Sequence, residues 1–356
     1  MHMADALLSP AVGGTMWAMT AGMTAYAARK VHTELDEHKI PLMGVLGAFV
    51  FAAQMLNFSI PGTGSSGHLG GGLLLAVLLG PHAGFLTIAS VLVIQALFFA
   101  DGGLLALGCN IFNLGFWPCF VAFPLVYKPI VKSEPSRGRI LLGAMLASVL
   151  GLQLGAFNVV LETMLSGLTE LPFKTFILLM QPIHLAIGLV EGLITAAVVT
   201  FVWRARPEIL ERAASGKAYG AVGLRRVLIG LGLATVLAGG VLAWFASAHP
   251  DGLEWSLYRA TGREVQRAPG GLRETLARVQ EKTAVLPDYG FRQPGTSAPE
   301  GNEGGRKRPA ADIGTTASGL IGAALVLALV VGLGFALRRA IHRQRGRTGP
   351  ARRSLE

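Results

Sequence analysis

Three nitrogen atoms that could bind one metal ion lie within the first two residues of the chain. Because His2 is bulky, and aminopeptidases that remove an initiator methionine require a small second residue, we expect Met1 to be retained. Its α-amine, the His2 peptide nitrogen and the His2 imidazole could then chelate one ion in fused rings, provided that the amide deprotonates. Tetragonal nitrogen coordination favours Ni(II) or Cu(II) over Zn(II) or Mg(II). The alternative is that His2 is an interfacial histidine on a frayed terminus.

A glycine-rich loop, residues 61–72, offers a fourth nitrogen. Its one strong metal ligand is His68, and it contains no Lys, Arg, Asp or Glu. Glycines let a backbone approach other elements closely, so this loop could fold into a bundle of membrane helices. Taken alone, His68 could be an ordinary hydrogen-bonded loop histidine. If it lies at the same membrane face as His2, the two become candidate ligands of one ion.

Amide side chains interrupt several of the apolar stretches. In lipid such groups face the bundle interior, where they hydrogen-bond between helices or support a functional site. Ligating histidines usually donate their second N–H to a partner, so these amides could instead hold a metal-binding imidazole. Gln54 and Asn57 are expected to share one face of the second span. The candidates for such support of the ligands are Gln54, Asn57, Ser66, Gln95 and Asn110.

Ionisable residues inside or near the spans give two other interpretations. His184 and Glu191 would share one face of the seventh span, at a separation of about 10 Å along the helix axis. They could form the relay of a gradient-driven metal permease, or a buried polar pair that steadies the bundle. Asp101 and Glu162, near the outer ends of spans, are interpreted as interfacial residues.

A rival function comes from the segment Gly64-Ser65-Ser66-Gly67. It fits the GxSG pattern of rhomboid intramembrane proteases, which pair the serine with a histidine on a later helix. Ser66 would be the nucleophile and His184 its base. A motif of four residues with low complexity matches many unrelated sequences by chance.

The composition decides the class of protein. Of 356 residues, 52% are hydrophobic and 15% are charged, with a mean hydropathy of +0.52. A soluble domain carries about 25% charged residues, so the chain is neither disordered nor an ordinary soluble enzyme, and it predicts several membrane spans. The 31 Lys and Arg outnumber the 21 Asp and Glu. In a membrane protein, this excess indicates which loops stay in the cytoplasm rather than binding of nucleic acid.

Nine hydrophobic segments predict an all-α, polytopic membrane helix bundle. The third is short for a span and follows the glycine-rich loop, which is typical of a half-helix behind a re-entrant segment. The segments are 10–28, 41–58, 69–80, 84–100, 104–127, 140–161, 175–203, 224–246 and 316–337.

The distribution of basic residues predicts the orientation. If the first span runs inward, the inside loops and the C-terminal tail hold 20 Lys and Arg, and the short outside loops hold Lys174 alone. Since basic loops stay in the cytoplasm, the N-terminus is expected outside and the C-terminus inside. The protein is thus expected in a bacterial-type inner membrane. No signal peptide is expected, because no basic residue precedes the first span.

The chain divides into two membrane modules. We expect a metal-binding domain of about seven spans at 1–205 and a cytoplasmic connector at 206–223. A two-span module follows at 224–337, whose spans 224–246 and 316–337 enclose a small extracytoplasmic domain at 247–315. Within that domain, 271–283 predicts a helix and 287–312 a flexible linker. A basic cytoplasmic tail occupies 338–356.

These residues resemble the CbiM/NikM family, the substrate-binding membrane subunits of energy-coupling-factor transporters for cobalt and nickel. The resemblance covers residues 1 to about 205. The segment PDGLEWS, which starts at Pro250, resembles the auxiliary NikN-type component with a PDGLE domain. The motifs that carry the resemblance to the first family are the Met1-His2 start with DALLSP, FAAQMLNF, SGHLGGG, QALFFADGG and the stretch from Ile183-His184 to Glu191-Gly192.

The resemblance implies a planar site of four nitrogens, formed by the Met1 amine, the His2 amide and imidazole, and His68. It implies no catalytic residue and no prosthetic group, with Ni(II) or Co(II) as the transported ion. The chain has no phosphate-binding loop. The implied partners are a membrane-coupling subunit, cytoplasmic ATPases and membrane lipid. Nucleic acid is not among them. Small residues at Ala18-x3-Gly22 and Ala21-x3-Ala25 could form the contact with the coupling subunit.

Overall fold

The computed structural model describes residues 2–34, 38–132, 135–168, 172–220, 223–262, 271–292 and 312–347. The described chain is almost entirely helical, which confirms the predicted all-α class. Met1, most of the predicted linker 287–312 and the end of the basic tail lie outside the described residues.

In its described residues, the first module contains eight helices of at least eight residues and one short hairpin. The helices are α1 (Pro10–Glu34), α2 (Lys39–Gln54), α3 (Gly72–Leu79), α4 (Pro81–Phe98), α5 (Leu107–Val131), α6 (Arg137–Ser166), α7 (Phe173–Ala205) and α8 (Pro207–Ser215). Strands β1 (Phe58–Ile60) and β2 (Ser65–Gly67) pair antiparallel, with Ser59 opposite Ser66.

The described part of the second module adds four helices of at least ten residues. These are α9 (Arg225–Gly240), α10 (Gly252–Thr261), α11 (Gly271–Thr283) and α12 (Ile313–Arg347). Helices α9 and α12 pack against α2 of the first module, so the two modules form one bundle rather than two separate units. The predicted helix at 271–283 is present as α11.

Among the described residues, five helices are long and apolar enough to cross a membrane by length and composition. They are Pro81–Phe98, Leu107–Val131, Arg137–Ser166, Phe173–Ala205 and Ile313–Arg339. Helix α2 is apolar but shorter, with 16 residues. The predicted count of seven plus two spans therefore stays a prediction.

The segment between α2 and α3 differs from the predicted helical pattern. Helix α2 ends at Gln54, whereas the predicted span continued to residue 58. The chain becomes extended at once, because Phe58–Ile60 pairs with β2 and the Asn57 carbonyl accepts a hydrogen bond from the Ser247 amide. Asn57 consequently does not share a helix face with Gln54. The short third segment forms α3, a fully buried helix of eight residues.

Helix α5 is irregular over most of its length. It is π-helical from Phe112 to Tyr127 and contains Pro118 and Pro124. Proline has no amide hydrogen and cannot donate the usual helical hydrogen bond, which favours a wider backbone winding at these positions. The two cysteines, Cys109 and Cys119, are buried free thiols in this helix.

The connector between the modules is docked on the bundle. The Tyr219 hydroxyl donates to the Leu78 carbonyl at the end of α3, at 2.5 Å, and Lys39 lies 5.6 Å from the centre of the Tyr219 ring. These contacts lie at the N-terminal end of α2. The candidate metal ligands lie beyond the opposite end of α2, after Gln54, so the helix separates the connector from the site.

Candidate metal centre

The two histidines singled out from the sequence lie against each other. The rings of His2 and His68 stack with centroids 4.9 Å apart and planes inclined by 21°. The His2 side chain is 6% exposed and His68 is 9% exposed. The start of the chain and the glycine-rich loop therefore converge in one buried place.

A chain of amide hydrogen bonds fixes the His2 ring. His2 Nε2 lies 3.2 Å from Gln95 Oε1, and Gln95 Nε2 donates to Gln54 Oε1 at 2.8 Å. Gln54 Nε2 in turn donates to the Gly70 carbonyl at 2.9 Å. Because Gln95 donates through its nitrogen, its oxygen faces His2 and accepts the Nε2 proton. This tautomer leaves Nδ1 as the His2 nitrogen that can bind a metal ion.

Backbone contacts fix the residue after His2. The Met3 amide donates to Asn110 Oδ1 at 2.8 Å, and Asn110 Nδ2 donates to the Met3 carbonyl at 3.3 Å. The same carbonyl accepts from the Gly103 amide at 2.9 Å. A Cβ on Gly103 would collide with the Asp5 carboxylate, so glycine is needed there for the close approach of the two segments.

The loop that carries His68 is held by a buried carboxylate. Glu191 on α7 accepts from the Gly70 amide at 2.7 Å and from the Gly71 amide at 3.3 Å. His68 Nδ1 donates to the Leu69 carbonyl at 2.9 Å, which places the lone pair of the neutral ring on Nε2. In each histidine, therefore, one ring nitrogen donates to a carbonyl or amide oxygen, as is usual for imidazoles that ligate metals.

The second module contacts the same loop. The Ser66 amide donates to the Pro250 carbonyl at 2.8 Å, and the Ser66 hydroxyl donates to the His249 carbonyl at 2.8 Å. Asp251 caps α10 by accepting from the amides of Leu253 and Glu254 at 2.8 Å. The PDGLE segment is therefore docked two residues before His68.

Asp101 lies beside His2, a contact that sequence reasoning missed, since Asp101 was interpreted as interfacial. Its Oδ1 lies 3.3 Å from His2 Nδ1, and its Oδ2 accepts from the Tyr289 hydroxyl at 2.5 Å. Neither contact has a local sequence signal, because Asp101 lies in an irregular turn after α4 and Tyr289 belongs to the second module.

Burial sets the protonation of the two histidines. It lowers the pKa of His68 to about 3 and lowers the pKa of His2 below its ordinary value. Both imidazoles are therefore neutral near pH 7. A neutral imidazole is the form that binds a metal ion, so these rings release few protons on binding.

His184 and Glu162 make other contacts, whereas Glu191 holds the loop that carries His68. His184 Nδ1 donates to the Met180 carbonyl at 2.7 Å, Glu191 bonds to loop amides, and no hydrogen bond joins His184 to Glu191 or to Ser66 within the described ranges. In that part of the chain, no three His, Cys, Asp or Glu side chains are grouped to hold one ion. Glu162 is not interfacial but buried, and it accepts from Asn113 at 2.8 Å and from Asn158 at 2.9 Å.

Comparisons with known proteins identify both modules. Residues 2–209 match the CbiM family, described as the cobalt uptake substrate-specific transmembrane region, and residues 225–339 match the PDGLE domain. The fused nickel transport protein NikMN of Rhodobacter capsulatus is 32% identical over 96% of this chain and 99% of its own length. The cobalt transport protein CbiM of Sorangium cellulosum is 31% identical over 60% of this chain and 95% of its own.

The family matches confirm the resemblance inferred from the motifs, and a solved structure agrees with them. The crystal structure of a truncated transition metal transporter shares 32% identity with this chain, with a TM-score of 0.51. It covers 58% of this chain and 99% of its own. These relatives are transport proteins, so the protease interpretation, which predicted an enzyme with Ser66 as nucleophile, is not retained. The chain belongs to the CbiM family, fused to a PDGLE domain, and is a multi-pass membrane component of a metal transporter rather than an enzyme.

Proposed function

We propose that this chain is the substrate-binding subunit of an energy-coupling-factor transporter that captures Ni(II) or Co(II) at the outer face for ATP-driven import. The observation that carries the proposal is the stacking of His2 on His68, with centroids 4.9 Å apart. This contact between His2 and an imidazole from a distant loop supports a site that takes ligands from both residues.

The ligand set follows from the tautomers. A chelate that joins the His2 amide nitrogen and Nδ1 closes a six-membered ring, whereas Nε2 would require a larger one. Gln95 accepts from Nε2, so Nδ1 is the nitrogen available for the ion. His68 would bind through Nε2, because its Nδ1 donates to Leu69. The Met1 amine supplies the remaining nitrogen of the proposed plane.

Two observations support capture at the outer face. The predicted inside loops and tail hold 20 of the 31 Lys and Arg. The docked connector, which is predicted to be cytoplasmic, contacts the N-terminal end of α2 through Tyr219 and Lys39. The histidines lie beyond the other end of that helix, where Gln54 bonds to the loop. A connector on the inside therefore supports a metal site on the outside.

Helix α1 has an exposed face of small residues, which supports the proposal of a partner subunit in the membrane. The small residues predicted to form the contact are exposed, and a Cβ on Gly22 would meet no atom within 4 Å. Small residues let a second helix approach closely in lipid. We assign this face to the membrane-coupling subunit, with cytoplasmic ATPases as the source of energy. The exposed residues are Ala18, Ala21, Gly22 and Ala25.

The nature of the site favours nickel over cobalt. Planar coordination by four nitrogens suits Ni(II) with its tetragonal preference better than metals with octahedral or tetrahedral preferences. The relatives named above include a nickel transport protein, similar over nearly the whole fused chain, and a cobalt transport protein.

The decisive experiment compares purified protein with an untagged N-terminus and its variant His2→Phe. The substitution keeps a bulky second residue, so Met1 is retained, and it keeps an aromatic ring beside His68 but removes the imidazole that closes the chelate. We expect near-stoichiometric Ni(II) binding by the parent protein, measured by calorimetry, and loss of that binding in His2→Phe and in His68→Ala. The control is His249→Ala, which removes an exposed imidazole near the site. Equal binding by the parent protein and His2→Phe would refute the terminal site.

A second experiment separates this proposal from a gradient-driven permease that uses His184 and Glu191. Ni(II) uptake is measured in vesicles with and without the ATPase partners, and again after a protonophore collapses the proton gradient. We expect uptake to require ATPases that can hydrolyse ATP and to survive the protonophore when ATP is supplied directly. Uptake without ATPases that stops with the gradient would identify a permease instead.

A further inference from the structure

The extracytoplasmic segment of the second module is docked on the turn that follows α4. Gln280 Nε2 donates to the carbonyls of Ala96 and Gly102, at 2.9 and 2.6 Å. The amides of Leu286 and Asp288 donate to the carbonyls of Phe98 and Phe99, at 3.1 and 2.9 Å. These bonds run along one continuous stretch of backbone, so the segment has a defined register on the turn.

Ring packing completes this contact. Tyr289 stacks on Phe99 with centroids 5.0 Å apart and planes inclined by 18°. Asp288 and Tyr289 both have positive φ, at 50° and 58°, which is uncommon for residues other than glycine. Such a backbone persists only where surrounding contacts determine it, and positions of this kind cluster at functional sites. The turn at 287–289 therefore places the Tyr289 ring in one orientation.

That orientation brings the Tyr289 hydroxyl to the metal site. It donates to Asp101 Oδ2 at 2.5 Å, while Asp101 Oδ1 lies 3.3 Å from His2 Nδ1. Burial of the phenol, and then the nearby Asp101 carboxylate, raise the pKa of Tyr289 well above its ordinary value. Tyr289 is thus a neutral donor to Asp101 Oδ2, and Oδ1 is the oxygen that faces His2 Nδ1.

We propose that Tyr289 is a positioning residue of the metal site, holding the Asp101 carboxylate opposite the His2 nitrogen that binds the ion. The inference deepens the proposed function and rests on it. A divalent ion bound to one deprotonated amide and three neutral nitrogens leaves one net positive charge in a buried place. The Asp101 carboxylate neutralises that charge, and a fixed carboxylate does so better than one that must be ordered on binding.

The proposal gives the second module a concrete role. Hydrogen-bonded partners beyond the direct ligands typically change metal affinity by about 10- to 100-fold. The first module supplies the ligands, and the second module supplies Tyr289. The fused chain would then bind its ion more tightly than the first module alone, without any new ligand.

The test is a double-mutant cycle on the full chain with an untagged N-terminus. Tyr289→Phe keeps the ring on Phe99 and removes only the hydroxyl. We expect Ni(II) affinity, measured by calorimetry, to fall about 10-fold or more, with an unchanged melting temperature in the absence of metal. In an Asp101→Ala background the same change is expected to have no further effect. Tyr258→Phe, at an exposed tyrosine of α10, is the matched control.

The outcomes separate the two proposals. If the parent protein binds Ni(II) and Tyr289→Phe binds it equally well, the role of Tyr289 is refuted. If the losses from Tyr289→Phe and Asp101→Ala simply add, Tyr289 acts by a route other than Asp101 and the inference is also overturned. If the parent protein binds neither Ni(II) nor Co(II), the proposed function itself fails. The ligand-field spectrum of bound Ni(II) provides the readout that a purely structural defect would not move.

Discussion

His2, near the start of the chain, stacks on His68 from the loop after β2, and their ring centroids lie 4.9 Å apart. Other residues also hold these two rings in place. Gln95 and Asp101 face the two nitrogens of His2, and Glu191 holds the loop that follows His68. The proposed metal site thus depends on residues other than its proposed ligands to fix the rings, and these residues can be tested one by one.

Replacing Gln95 with leucine should weaken metal binding. The change removes the acceptor for His2 Nε2, so the ring loses the contact that leaves Nδ1 available to the ion. We expect Ni(II) affinity to fall by about 10- to 100-fold, measured by calorimetry. Gln153→Leu is the matched control, because Gln153 bonds to the Gln181 carbonyl at 2.8 Å and has no contact with the site. Equal losses in both variants would contradict the assignment.

Replacing Glu191 with glutamine should loosen the loop that carries His68. The carboxylate accepts from two loop amides, whereas a carboxamide can accept only through its single oxygen. We expect a loss of about 1–3 kcal/mol in the free energy of unfolding, from the unsatisfied buried amide, together with weaker Ni(II) binding. Thermal unfolding and calorimetry in the same detergent measure the two effects.

Glu162→Gln is the control that separates the effect of Glu191→Gln on stability from its effect on metal binding. Glu162 is equally buried but bonds to Asn113 and Asn158. We expect this variant to lose stability while its metal affinity stays at the parent value. If Glu162→Gln weakens Ni(II) binding as much as Glu191→Gln does, the effect of Glu191 on the loop is not specific.

Replacing Ser66 with alanine should weaken the contact of the PDGLE segment with the loop. The Ser66 hydroxyl donates to the His249 carbonyl, so its removal leaves only the backbone bond to Pro250. We expect faster hydrogen exchange of the Ser66-position amide, measured by mass spectrometry. Ser59→Ala, which removes an exposed contact with Ser247, should leave that exchange rate unchanged. A fluorophosphonate serine probe should label neither the parent nor Ser66→Ala.

Replacing Gly22 with leucine should block the coupling subunit without harming the metal site. Gly22 lies on the exposed small-residue face of α1, where an added Cβ would meet no described atom within 4 Å. We expect loss of co-purification with the coupling subunit and unchanged Ni(II) affinity. Gly332→Leu is the control, because Gly332 is likewise exposed on a membrane helix. Normal assembly of Gly22→Leu would place the coupling subunit on another face.

Much of the architecture could be predicted from the sequence, because it depends on local properties. Long apolar stretches fix the helices, since backbone groups in lipid must bond within their own segment. The motifs around His2 and His68 identified the family, and the polar residues inside apolar stretches identified Gln54, Gln95 and Asn110 as buried partners. Each of these conclusions needs only the order and type of neighbouring residues.

The tertiary structure alone decided which of the polar residues meet. Contrary to the prediction from the sequence, Asn57 does not share a helix face with Gln54, because the helix ends at Gln54 and the chain continues into the paired strands β1 and β2. Asp101 joined the site because the turn after α4 directs it to His2, and Tyr289 reached it from the second module. Hydrophobic periodicity carries no information about such contacts, since it records which face of an element is buried and not which distant side chain lies against it.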